Sequence, residues 1–153
     1  MSTTDRIEKQ VFLRAPRSRV WRALTDAAQF GAWFGVRFAE GAAFKAGTKV
    51  EGKITHPSYD HLTWAATIER IEPEQLFSFR WHPYAIDTKV DYSKEPTTLV
   101  EFRLAEARGG VELTVVESGF DRVPPERRAE AYRMNSQGWA AQMENIERYV
   151  ATA

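Results

Sequence analysis

The sequence predicts an α+β fold: a curved antiparallel β-sheet wrapped around a long C-terminal α-helix, with two short helices after the first strand. Three observations carry that reading. Apolar and polar residues alternate with period two through most of the chain, the pattern of half-buried strands. Each alternating stretch has one wet face, which fits an antiparallel sheet covered on one side only. At the end, Tyr132, Ser136, Trp139, Met143, Ile146 and Val150 recur at steps of three and four, the stripe of an amphipathic helix.

The elements follow in order. Ile7, Val11 and Leu13 oppose Glu8, Gln10 and Arg14 in a first strand. Pro16 stands at a first-turn position, where its missing N–H costs nothing, and Val20, Trp21 and Leu24 then share one side of a short helix. A second short helix over 27–34 carries Phe30, Trp33 and Phe34. Val50, Gly52 and Ile54 oppose Glu51, Lys53 and Thr55, and Trp64, Ala66 and Ile68 oppose Thr67 and Glu69. Phe77, Phe79 and Trp81 oppose Ser78, Arg80 and His82. Val100, Phe102 and Leu104 oppose Glu101 and Arg103, and Val111, Leu113 and Val115 oppose Glu112 and Thr114. Glu72-Pro73-Glu74-Gln75 and Ala107-Arg108-Gly109-Gly110 read as hairpin turns. The stretch 85–96 has no period and ends in proline, so it reads as a long loop at the mouth of any cavity, a mobile lid. The last helix, within 124–151, starts after Pro124-Pro125 and runs about 26 residues, roughly 39 Å at about 1.5 Å per residue. The strand block has only that helix to pack against, so the sheet must curl and leave a space beneath it.

No Pro/Gly/Ser-rich linker divides the 153 residues, so residues 1–153 read as one domain. Lys+Arg and Asp+Glu both number 21, and a chain without a basic excess is a poor candidate for a nucleic-acid partner. The chain has no cysteine, which removes disulfides, thiol catalysis and thiolate metal sites. A polar start and the lack of a long apolar run predict a soluble, cytoplasmic protein with no membrane insertion. Gly109-Gly110 lies in a hairpin and not at a strand-to-helix junction, so there is no phosphate-binding loop, and no cofactor is expected. His56, Asp60 and His61 share a turn, but a metal needs three or four converging ligands with supporting partners, so no metal is expected either. His82, on the wet face, reads as surface or cavity rim. Arg14, Arg17, Arg19 and Arg22 read as a solvated helix face.

Several stretches together resemble a known superfamily. Ala15-Pro16 followed by Val20-Trp21-Arg22-Ala23-Leu24-Thr25-Asp26 is similar to its first-helix motif, and Trp33-Phe34-Gly35 follows at the usual distance. Phe77-Ser78-Phe79-Arg80-Trp81 resembles its central strand, and Glu117-Ser118-Gly119-Phe120 with Asn135 and Gly138-Trp139 completes the C-terminal pattern. On these residues the chain is identified as a member of the SRPBCC, or START-like helix-grip, superfamily. The branch is the one named after the C-terminal domain of the heat-shock-protein-90 ATPase activator. The resemblance implies the helix-grip fold over residues 5–151. It also implies a function from a wide set: lipid carriers, polyketide cyclases, dehydratases and antibiotic-binding proteins. The chaperone activator itself has a further N-terminal domain with no counterpart in these residues, so co-chaperone action ranks last.

Nine Phe, five Trp and five Tyr are enough to fill a thick core or to line a ligand pocket. The expected pocket lies under the N-terminal half of the last helix, bounded by Phe77, Phe79, Trp81, Phe102, Glu117, Tyr132, Asn135 and Trp139. An aromatic stripe serves a core equally well, and core packing is the simpler use of Trp139. Glu117 is the candidate catalytic group. Parity places its carboxylate on the dry side, where burial raises its pKa unless an Arg reaches it or a bulge at Ser118-Gly119 turns it outward. Gly138 is expected where the helix approaches the sheet closely. The leading function is therefore binding of a small hydrophobic or amphipathic molecule between sheet and helix. A cyclase- or hydrolase-type enzyme using Glu117 as acid/base is the alternative, and a protein-interaction module comes third.

Overall fold

The computed structural model describes residues 5–151. The order is β1 (Arg6–Leu13), α1 (Arg17–Thr25), α2 (Ala27–Phe34), β2 (Val36–Arg37), β3 (Lys49–Ile54), β4 (Thr63–Glu72), β5 (Leu76–Trp81), β6 (Thr98–Ala107), β7 (Gly110–Ser118) and α3 (Pro125–Ala151). The seven strands form one antiparallel sheet in the order β1-β7-β6-β5-β4-β3-β2. The fold is thus a helix-grip, with α3 lying against β1, α1 and α2. Among the described residues no helix is long and apolar enough to cross a membrane.

Local chemistry explains how the two short helices turn the chain. Pro16 caps α1 with extended backbone (φ −62°, ψ 148°), one position earlier than a first-turn proline. Asp26 serves both helices: its N–H donates to Arg22 O (2.9 Å) to close α1, and its carboxylate accepts from Gln29 N (3.0 Å) to open α2. Gly35 ends α2 in the left-handed region (φ 99°), which a glycine adopts without penalty. One turn earlier, a Cβ on Gly31 would stand 2.0 Å from Val36 O, so only glycine lets β2 pass that close to α2.

Aromatic rings fill the concave side. Phe30 on α2 is fully buried, with the rings of Phe34, Trp33, Phe44 and Trp64 centred 4.7, 5.1, 5.6 and 5.7 Å away. Phe44 stacks on Phe77 at 5.6 Å, and Phe77 stacks on Phe102 at 6.2 Å.

The structure departs from the sequence reading in a few places. β2 is only two residues long, too short for a period to show. Ser78, assigned by parity to the wet face, is buried there. The stretch between β5 and β6 contains a short 3-10 turn, Tyr92–Lys94, and is tied down rather than free. Arg127 on α3 donates from Nε to Glu95 Oε1 (2.9 Å) and from Nη1 to Pro83 O (2.7 Å), and its guanidinium lies over the Tyr92 ring at 4.8 Å.

Phe30 joins α2 to β4 through Trp64 and to β5 through Phe77 and Phe79, so Phe30→Ala should cost about 3–5 kcal/mol, the usual range for a fully buried Phe. Urea denaturation measures this, and a loss below about 1 kcal/mol would show that the rings repack without it.

Candidate functional site

The site is built around Glu117. On β7 it is paired on both sides, opposite Ile7 of β1 and Val100 of β6, so its side chain is committed to the concave face. The register stays regular through Ser118, and the chain turns only at Gly119 (φ 102°). The carboxylate therefore points inward with no exposed surface.

Four neutral side chains from three elements close on it. Oε1 accepts from Trp139 Nε1 (2.8 Å) and Asn135 Nδ2 (3.0 Å). Oε2 accepts from Thr98 Oγ1 (2.5 Å), Trp81 Nε1 (2.7 Å) and, at the longer distance of 3.2 Å, the same Asn135 Nδ2. Asn135 and Trp139 are four apart on α3 and so share a helix face. Trp81 and Thr98 are direct partners across β5 and β6. Among the described residues no Arg or Lys pairs with Glu117. Burial raises its pKa above the ordinary glutamate value; the bonds from Thr98, Trp81, Trp139 and Asn135 pull the other way without cancelling it.

Two openings meet in front of this cluster. One, of about 130 Å³, is lined by Phe34, Trp81, Asn135, Gly138, Trp139 and Gln142. The other, of about 280 Å³, runs under the segment after β5 and includes Trp64, His82, Tyr84 and Ile86 in its wall. They share Phe34, Trp81 and Asn135.

Of the eight residues expected around a pocket, the structure brings Glu117, Trp81, Asn135 and Trp139 together. Glu117 lies behind the other three and lines neither opening. Phe77, Phe79 and Phe102 are fully buried in the aromatic core, where rings from α2 and Phe44 occupy the space a ligand would need. Tyr132 is on another side of the helix: its hydroxyl donates to Arg6 O (2.9 Å) and its ring meets Phe120 at 5.2 Å. The openings accordingly lie beside the middle of α3, because Arg127 closes its N-terminal end against the β5–β6 segment. Gly138 is also corrected: a Cβ there would meet nothing within 4 Å, so the glycine faces open space and not the sheet.

Thr98, Phe34 and Gln142 were missed. Thr98 was recoverable, since the parity of Val100, Phe102 and Leu104 extends back to it. Gln142 lies three and seven positions beyond Trp139 and Asn135, on their face of α3. Phe34 gave no such signal, because nothing in a short apolar helix says which ring reaches a rim. His56, Asp60 and His61 are exposed in the β3–β4 turn, with His56 Nδ1 accepting from Ser58 N (3.1 Å).

Comparison with known proteins adds a family and a fold. The family model for Activator of Hsp90 ATPase homolog 1-like protein matches residues 14–151. Among solved structures, DynU16, from the dynemicin biosynthetic locus, is 23% identical with a TM-score of 0.71; the match covers 97% of this chain and 48% of that one. This chain therefore spans about half of DynU16. MLL2253 from Mesorhizobium loti is 20% identical with a TM-score of 0.73, covering 95% of this chain and 96% of that protein. CalU16 from Micromonospora echinospora is 19% identical with a TM-score of 0.63, covering 96% and 76%. No functionally curated protein matches the chain.

Because Glu117 holds its proton to higher pH in the folded chain than in the unfolded one, its contribution to stability is full below the ordinary carboxyl range. It is lost as pH rises through the elevated pKa. The stability of the wild type relative to Glu117→Gln should therefore fall as pH rises above the ordinary glutamate value, read from urea midpoints of both proteins. Parallel pH profiles would contradict the assignment. Independently, Thr98→Val strips one donor from a buried carboxylate and should cost about 1–3 kcal/mol.

Proposed function

The chain belongs to the Activator of Hsp90 ATPase homolog 1-like family, and from that premise we propose that it binds a small, largely aromatic molecule in the cleft beside the middle of α3. The observation that carries this is the wall where the two openings meet. Trp81 and Trp139 have their indole N–H groups held from behind by Glu117, and their rings stand 5.8 Å apart with Phe34 beside both. Rings fixed in this way present apolar faces without losing rotamer freedom on binding, which favours affinity. An aromatic wall with a few polar groups and a volume of a few hundred Å³ is ordinary for a small-molecule site.

Gly138 supports the same reading. A glycine inside a helix is less favourable than alanine by about 1 kcal/mol, and no close contact requires it here. What it does is leave the cleft open. The acid/base alternative draws less support: a general acid or base must reach its substrate, whereas both Glu117 oxygens already face neutral donors behind the cleft wall. Its role in this proposal is to position Trp81, Asn135 and Trp139.

Titration with fatty acids, flavonoids and aromatic polyketides should change tryptophan emission in a saturable way, and Trp81→Phe should diminish the change. Native mass spectrometry of protein purified from its own host should show a bound small molecule. Gly138→Ala should raise stability by about 0.5–1 kcal/mol, whereas Gly138→Phe should remove binding while the fold persists. Bare protein in the spectrometer together with no saturating ligand would overturn the proposal.

A further inference from the structure

We infer that Asn135 presents a fixed hydrogen-bond acceptor to the cleft and thereby selects aromatic ligands that carry an O–H or N–H donor over analogues that lack one. The inference rests on the cleft-binding reading above and adds the polarity of what is bound.

An ionised carboxylate only accepts hydrogen bonds, and an indole N–H only donates. Each Glu117 oxygen already faces an indole: Trp139 at Oε1 and Trp81 at Oε2. Above its pKa the ionised carboxylate has no hydrogen to offer Asn135. The amide must therefore turn its NH2 inward, where Nδ2 lies 3.0 and 3.2 Å from the two oxygens. Oδ1 is left pointing away from Glu117, and Asn135 belongs to the walls of both openings. No side chain or backbone group among the described residues donates to it.

Of the other polar groups of the wall, the Trp64 indole N–H is a donor without a partner among the described residues, but it is buried in the wall of the larger opening and lines no part of the smaller one that Asn135 also borders. The N–H groups of Trp81 and Trp139 are spent on Glu117. Gln142 donates from Nε2 to Phe34 O (2.8 Å) and accepts from Asn145 at Oε1 (3.0 Å), so its amide is engaged at both ends. His82 Nε2 stands 3.0 Å from Glu95 O, and a carbonyl can only accept, so the ring carries its hydrogen there. The neutral imidazole then has Nδ1 as an acceptor, a second acceptor in the wall of the larger opening. The Tyr84 and Thr63 hydroxyls, also in that wall, can serve either way.

The test compares 2-naphthol with 2-methoxynaphthalene, which keeps the ring system and loses only the O–H donor. Binding to the full chain is measured by calorimetry and tryptophan quenching. The wild type should bind 2-naphthol about three- to tenfold more tightly, the worth of one hydrogen bond. Asn135→Ala should bring the ratio close to one. Glu117→Gln should also lower it, because a glutamine can donate as well as accept and no longer dictates which way the Asn135 amide turns. A purely structural role for Glu117 would weaken both compounds alike and leave the ratio unchanged. Circular dichroism checks that each variant folds, and the wild-type comparison decides the matter if one does not. Equal binding, or tighter binding of the methoxy compound, overturns the inference while leaving cleft binding intact. A preference that persists in Asn135→Ala overturns the assignment to Asn135. Saturation by neither compound removes the cleft reading and this inference with it.

Discussion

A carboxylate buried without a cation dominates the local energetics of this protein. Taking Glu117 out of water is costly, and the structure offsets the cost only with neutral donors, from Trp81, Thr98, Asn135 and Trp139. Those donors belong to β5, β6 and α3, so a single side chain on β7 binds the centre of the sheet to the long helix. The dependence runs both ways. Losing one donor leaves the charge less satisfied, and losing the carboxylate strands several buried N–H and O–H groups at once. Either change reaches the cleft, because three of the four donors also form its wall.

A second constraint is the volume of the aromatic core. A sheet curled around a helix leaves room that either a ligand or side chains must fill. Here α2 and the chain around Phe38 and Phe44 supply much of the filling: Phe30 reaches toward Phe77 and Phe79, and Phe44 stacks on Phe77. The interior of the grip is therefore closed, and the open space is displaced to the rim beside Gly138 and under the β5–β6 segment. Arg127 anchors that segment to α3 through Glu95 and Pro83, and Tyr84, in the left-handed region at φ 50°, turns the chain over the larger opening.

Much of this was legible in the residues, for a physical reason that also sets the limit. Period two and steps of three and four record which face of an element is dry, so the strands, the terminal helix and the inward side of Glu117 could all be read from patterning. Dryness does not distinguish a side chain touching another side chain from one touching a cavity. That is why Phe77, Phe79 and Phe102 were grouped with Trp81, and why Tyr132 was placed on the same helix face as Asn135. Gly138 differs from expectation for a related reason, since a helical glycine signals close approach as readily as open space, and only its neighbours in the fold tell the two apart. β2 is too short to carry a pattern at all.

The central claim is that one acceptor holds both cleft tryptophans and the cleft asparagine. Side-chain NMR across a pH titration tests it most directly, since the indole N–H signals of five tryptophans are resolvable and assignable by substitution. The account predicts that Trp81 Nε1–H, Trp139 Nε1–H and Asn135 Nδ2–H move together in one transition, with a midpoint above the ordinary glutamate range, while Trp21, Trp33 and Trp64 do not follow. Separate midpoints for the three groups, or no shared transition, would show that Glu117 does not join them.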